Sequence, residues 1–382
     1  MNSHSDISSY DLSRMSEQEI MRRINEKLTQ YEELNWIYDE EFIRKLIKRY
    51  RIDNWLLWAL SARDPLINNF WAKIVHDLRT LSDEGALQHF KDKLRAESEI
   101  DLFGYLAELH FSAAFKRREF SVILNPQVDG SFADFKVKGD YTPSYVYFEV
   151  KTFGASRKFK ENRLVVDTLI NCISKENFPF GLFVSGVDRV RVNEARKVAK
   201  EIIAHLKELN ESVYKSRQIE IPIDEDRVII VEVRPYRVIS VIGSLPHFGH
   251  KKLKKIFQKA LNQLPKDEPG VIIVVRPFEV DEEEIMDALY GKVAIPFYVE
   301  SRTWGEPFRK TDGFFHTVHR VSAVITARPI ITPTQFSWIA IAYNNPLARF
   351  PLSLDVFSGV CAKQLVPKNR SGNIIELEWI HQ

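Results

Sequence analysis

The sequence predicts an α/β fold in which a mixed central sheet is flanked by helices and preceded by an all-helical N-terminal region. Two observations carry this expectation. Residues 16–98 place apolar side chains at helical spacing with no strand-like alternation. From residue 101 onward, short runs rich in Val, Ile and Phe alternate with amphipathic helical stretches. The expected organisation is a helical region at 1–98, an α/β domain at 99–345 and a C-terminal extension at 346–382.

The helical region opens with "SEQEIMRRINEKL", where Ser16 and Glu19 form a capping-box pair that satisfies free amides of the first turn. Ile20, Ile24, Leu28 and Tyr31 then fall on one face. "DNWLLWALSARDP" and "DEGALQHFKDKL" continue the pattern, with breaks at Asp64-Pro65 and Gly85. Trp36, Trp55, Trp58 and Trp71 are expected as core anchors between helices.

Beyond it, "DLFGYLAELHFSAAF" reads as a helix and "FSVILN" as a strand, followed by a hairpin over 132–154. A basic helical stretch ("SRKFKENRLVVDTLINCI"), a strand in "FPFGLFVSG", a helix at about 192–214 and strands in "RVIIVEV" and "YRVISVIG" come next. Then come a helix in "HKKLKKIFQKALNQL", a strand in "GVIIVVRPF", a helix in "DEEEIMDAL", and strands in "HRVSAVITA" and "FSWIAIAY". The final segment, with Pro346, Pro351 and Pro367, reads as irregular structure ending in one strand, "NIIELEWI".

Composition narrows the function classes. With 45% hydrophobic and 28% charged residues the chain has an ordinary globular composition. No apolar run is long enough to span a bilayer and the first thirty residues are polar, so neither a signal peptide nor a membrane partner is expected, and a cytoplasmic location is. Cys172 and Cys361 lack the spacing of a disulfide framework or a structural zinc site. The net charge is only +2, so a nucleic-acid surface must be a local patch. A homodimer is compatible with the sequence.

The hairpin "FADFKVKGDYTPSYVYFEVKTFG" carries the chemistry. Side chains alternate along a strand, which puts Tyr145, Tyr147, Glu149 and Lys151 on one face and Val146, Phe148 and Val150 on the other. With the turn centred between Tyr141 and Thr142, Asp134 falls across from Glu149. Two carboxylates opposed on a sheet repel, and a hard divalent cation between them removes the conflict. In "LFGYLAELHFSAAF" of the preceding helix Glu108 is the one charged residue among fourteen. A carboxylate buried there must be paired, protonated or metal-bound.

An acid on a helix, an Asp on a strand and Glu-x-Lys on the next resembles the PD-(D/E)xK nuclease superfamily, the restriction-endonuclease-like enzymes. The matching residues are Glu108, Asp134 in "ADF" and "EVK" at 149–151, within about residues 100–185. Ala133 stands where that pattern often has Pro, and the other (D/E)xK, "DFK" at 134–136, lacks an acidic strand before it. The resemblance implies a metal-dependent phosphodiesterase, a nuclease acting on DNA with Mg²⁺ or Mn²⁺. It implies that Asp134, Glu149 and the Val150 carbonyl hold the metal, with Glu108 supporting it directly or through water. Lys151 would position the attacking water or a phosphate oxygen and neutralise developing charge. The rival from another class is a non-catalytic nucleic-acid-binding or assembly module with the same fold.

Basic segments supply the expected nucleic-acid contacts. Arg157, Lys158, Lys160 and Arg163 follow the motif directly. Lys251, Lys252, Lys254, Lys255 and Lys259 are expected on the exposed side of a helix whose buried stripe is Leu253, Ile256, Phe257, Ala260, Leu261 and Leu264. The HxxH pairs His247/His250 and His316/His319 lack further zinc ligands and read as incidental. Walker A loops, nucleophile elbows and GxGxxG fingerprints are absent.

Overall fold

The computed structural model describes residues 15–50, 54–153, 157–176, 178, 181–207, 217–224, 227–234, 239–241, 250–275, 281–295, 297–298, 303–304, 308–331, 336–371 and 374–381. The chain divides into two compact units, Met1–Gly154 with Phe248–Gln382, and Ala155–His247. The second unit thus interrupts the first within the span expected as one α/β domain.

Among the described residues seven helices open the first unit: α1 (Glu17–Leu28), α2 (Glu32–Ile37), α3 (Glu40–Tyr50), α4 (Trp55–Ser61), α5 (Pro65–Thr80), α6 (Ala86–Leu94) and α7 (Glu99–Arg117). Their ends follow local chemistry. Ser16 Oγ accepts from Glu19 N–H at the start of α1, Asn54 caps α4, and Asp64 caps α5 with Pro65 as its first residue. Gly85 adopts φ +69°, the left-handed turn that separates α5 from α6.

Strands β1 (Ser121–Leu124), β2 (Phe135–Lys138) and β3 (Val146–Thr152) follow. The second unit contributes α8 (Arg157–Ile173), β4 (Gly181–Ser185), α9 (Ala195–Lys207), β5 (Arg217–Pro222), β6 (Val228–Arg234) and β7 (Ile239–Val241). The chain then returns through α10 (His250–Leu261), β8 (Gly270–Val275), α11 (Glu282–Tyr290), α12 (Phe314–Thr317), β9 (Val321–Ile331), β10 (Phe336–Asn344), β11 (Lys363–Ser371) and β12 (Ile374–His381). The second unit has its own four-stranded sheet, ordered β5-β6-β4-β7, and its own apolar core, with Val165 and Leu169 of α8 packed among Leu182, Val184 and Val231.

The first unit is built on an eight-stranded mixed sheet ordered β1-β2-β3-β8-β9-β10-β11-β12. β1, β2 and β3 run as an antiparallel meander, and β8 lies parallel to both β3 and β9. Every residue of β8 is buried, as a continuous apolar run in a parallel pair should be. On one sheet face Phe135 and Phe148 stack at 4.6 Å, and Phe115 of α7 lies 4.9 Å from Phe148. Gly104 lets α7 approach β3 this closely, since a Cβ there would fall 2.5 Å from Thr152 Oγ1. Farther along α7, buried Asp77 of α5 accepts from Arg117 at 2.6 Å and from Lys73, and lies 3.2 Å from His110 Nδ1. That cluster locks the helix that carries Glu108.

Three expectations are corrected. The C-terminal segment holds two strands, not one: β11 pairs parallel with β10 over Lys363–Leu365 and antiparallel with β12 along its length. Pro367 is tolerated because it lies beyond the β10 pairing, next to a register shift. Trp36 is 39% exposed with the Lys91 ammonium 4.2 Å over its ring, so it is no core anchor, whereas Trp71 is buried. On α10, Lys252 and Lys254 are half-buried, and Ile256 of the expected stripe is only partly buried.

Candidate active site

The hairpin turn is closed by Gly139 and Thr142, whose backbone and hydroxyl exchange hydrogen bonds of 2.9–3.0 Å. The resulting register pairs Phe135 with Phe148, Lys136 with Tyr147 and Val137 with Val146. The ladder ends one residue short of Asp134. Asp134 N–H donates to Phe148 O at 3.1 Å, and its carboxylate Oδ2 accepts from Val150 N–H at 2.7 Å. Asp134 therefore brackets Glu149 from the end of β2 instead of facing it as a regular cross-strand pair.

Glu149 is 1% exposed. Its Oε1 accepts from Lys151 Nζ, and Oε2 is buried with no hydrogen-bond partner among the described residues. Burial, and then the Asp134 charge, push its carboxyl up to about 8, against the opposing pull of Lys151. Burial, and then Glu108, push Asp134 up to about 6, while the Val150 amide and Lys93 act the other way. Both carboxyls stay raised although Lys151 and Lys93 lie beside them, because burial and the neighbouring carboxylates outweigh the two ammonium groups.

Glu108 is buried on α7 and already paired. Lys93 Nζ of α6 donates to both its oxygens at 2.7 Å, and His89 Nε2 lies 2.8 Å from Oε1. The same Lys93 ammonium stands 3.9 Å from Asp134 Oδ1, so it bridges the helix acid to the strand acid. Lys151 is held by Glu149 and by Gln263 Oε1 at 2.6 Å, just beyond α10, and Gln263 Nε2 donates in turn to Phe132 O. The structure thus brings Glu108, Asp134, Glu149 and Lys151 into one interacting cluster. It adds three residues the sequence reading missed: Lys93, His89 and Gln263. His89 and Lys93 are four apart on one face of α6, a spacing visible in the sequence but assigned to a separate helical region. Gln263 carries no sequence signal.

Among the described residues no three of His, Cys, Asp and Glu are arranged to hold a metal ion. The donor set still fits Mg²⁺, which needs only one or two carboxylates, the remaining positions being water and phosphate oxygens. Asp134 and the orphaned Glu149 Oε2 supply these, and the Val150 carbonyl follows Glu149 directly in sequence.

Of the basic candidates, Arg157, Lys158, Lys160 and Arg163 belong to the second unit, and their side chains and that of Lys251 lie outside the described residues. Lys255 and Lys259 are exposed. Lys252 lies 4.9 Å over the Phe153 ring and Lys254 donates to Asp312 O, so both are engaged within the first unit. His316 Nε2 lies 3.2 Å from Tyr290 O; His247 and the side chain of His250 lie outside the described residues. No helix among the described residues is long and apolar enough to cross a membrane. No family model, no curated protein and no solved structure matches the chain.

Proposed function

We propose that the protein is a metal-dependent phosphodiesterase of the PD-(D/E)xK type acting on nucleic acid. The observation that carries this reading is the buried, unpartnered Oε2 of Glu149 beside Asp134, with both carboxyls raised and an ammonium two residues on. Glu84 leaves an oxygen orphaned beside Lys116 as well; what sets Glu149 apart is the second raised carboxyl, Asp134, next to it. The restriction-endonuclease-like core is part of the same proposal, supported by the meander β1-β2-β3 and the parallel strand β8 beside β3. Glu149, Val150 and Lys151 lie in the C-terminal half of β3, where parallel α/β sheets commonly bind ligands.

Asp134, Glu149 and the Val150 carbonyl would hold Mg²⁺ or Mn²⁺. When bound, such an ion lowers the pKa of its water and stabilises charge on phosphate. Lys151 is positioned by Gln263 and Glu149 to place its ammonium against a phosphate oxygen or the attacking water. Lys93 compensates Glu108 and part of the Asp134 charge. The test is Lys151→Ala: cleavage of a labelled oligonucleotide with Mg²⁺ should fall by at least about a hundredfold, the scale of a removed charge-stabilising donor. Folding by circular dichroism should be retained. Undiminished cleavage would remove the role assigned to the lysine.

A further inference from the structure

On the hairpin face opposite the Phe135–Phe148 stack, the rows beyond the acidic pair are cationic and aromatic. Lys136 lies opposite Tyr147 in the register, and its Nζ is 3.4 Å from the Tyr147 hydroxyl and 4.3 Å from the Tyr145 ring centroid. Lys138 places a second ammonium 5.6 Å over the same Tyr145 ring. Neither lysine has a carboxylate partner within ion-pair distance among the described residues. Two ammonium groups crowded on one ring repel, as the two carboxylates do at the other end of the hairpin, and an anion between them would relieve it. Tyr145 is half-exposed and Lys138 exposed, so these rows open to solvent, whereas Tyr147 is buried beneath them. Successive rows on one strand face are about 6.8 Å apart, a step one nucleotide of extended backbone can follow.

We propose that Lys136, Lys138 and Tyr145 form a subsite for the single-stranded flank of the nucleic-acid substrate, with the lysines on its phosphates and Tyr145 stacked on a base. This rests on the proposed nuclease reading for what lies at Asp134 and Glu149, but the binding it describes needs neither metal nor cleavage. The occupant follows from charge complementarity and from continuity with the candidate site. Two cations on one strand beside a half-exposed ring at the start of the next suit a phosphodiester chain with accessible bases, not an acidic peptide.

The experiment is anisotropy titration of a labelled single-stranded oligonucleotide with the full chain and a metal chelator, across a salt series. For K136Q/K138Q the slope of log affinity against log salt should fall by about 1.4, at about 0.7 per phosphate contact on a single strand. Y145A should weaken binding about tenfold with the slope unchanged, as loss of stacking without loss of charge predicts. The control K45Q/K48Q removes two exposed lysines from α3 and should leave the slope as in the wild type. An equal fall in slope for both double variants, no fall in either, or no binding by the wild type would overturn the subsite. A wild type that binds through this row but never cleaves with Mg²⁺ would sink the nuclease reading and leave the subsite standing.

Discussion

Replacing Glu149 by Gln should make the first unit more stable at alkaline pH, because the native structure holds a carboxyl where only its neutral form is well accommodated. Glu149 moves from 4.5 to about 8 on folding. An acid whose folded value is raised contributes stability that is complete below 4.5 and lost as pH rises through about 8. Within that window the folded chain keeps one proton that the unfolded chain has released, so each pH unit costs about 1.4 kcal/mol. From pH 5 to pH 8 the wild type should therefore lose about 3–4 kcal/mol relative to E149Q. Gln keeps the shape, and its carbonyl can still accept from Lys151. Asp134 titrates in both proteins, so its share largely cancels. The assay is urea unfolding with a chelator present, followed by tryptophan fluorescence. All seven Trp lie outside residues 155–247, so the signal reports the unit that carries the site. Parallel stability-versus-pH curves for the two proteins would refute the claim that Glu149 is buried without adequate compensation.

Two further outcomes follow from the packing. Lys93→Met leaves Glu108 buried with only His89 beside it and should cost about 3 kcal/mol without metal, toward the low end for a broken buried pair. Because the variant also strips a cation from Asp134, Mg²⁺ should raise its melting temperature more than it raises the wild type's, and an equal rise would contradict that. Gly104→Ala should cost about 1–3 kcal/mol by forcing α7 off Thr152, measured by urea unfolding. A neutral result would show that the close approach is not needed.

Local signals proved readable where one residue type answers one local need. Ser16 caps α1 because its hydroxyl reaches a free amide, Asp64-Pro65 breaks the helical run where α5 begins, and the apolar run of β8 is buried as its composition requires. The hairpin register was readable too, since "KGDYTPS" fixes the turn and the stack of Phe135 on Phe148 fixes the face. What escaped depends on long-range placement. Lys93 reaches Glu108 only because α6 folds against α7, and Gln263 reaches Lys151 across 112 residues that include the whole second unit. β11 was hidden by Pro367 and by its polar composition, although it lies between β10 and β12 in the sheet. That Asp134 turns its carboxylate to the Val150 amide, instead of facing Glu149, could not be read from alternation, because the ladder stops at Phe135.

The central claim, that Asp134 and Glu149 together form a divalent-cation site, is tested most directly by thermal melts of the wild type and Asp134→Asn with and without Mg²⁺ or Mn²⁺. Asn keeps an oxygen for the Val150 amide while removing the charge that opposes Glu149. Without metal the variant should melt higher than the wild type. At metal concentrations about a hundred times the dissociation constant, the wild type should gain about 2.7 kcal/mol by linkage, and the variant should lose most of that response. An equal metal-induced rise in both proteins would place the ion elsewhere and contradict the account.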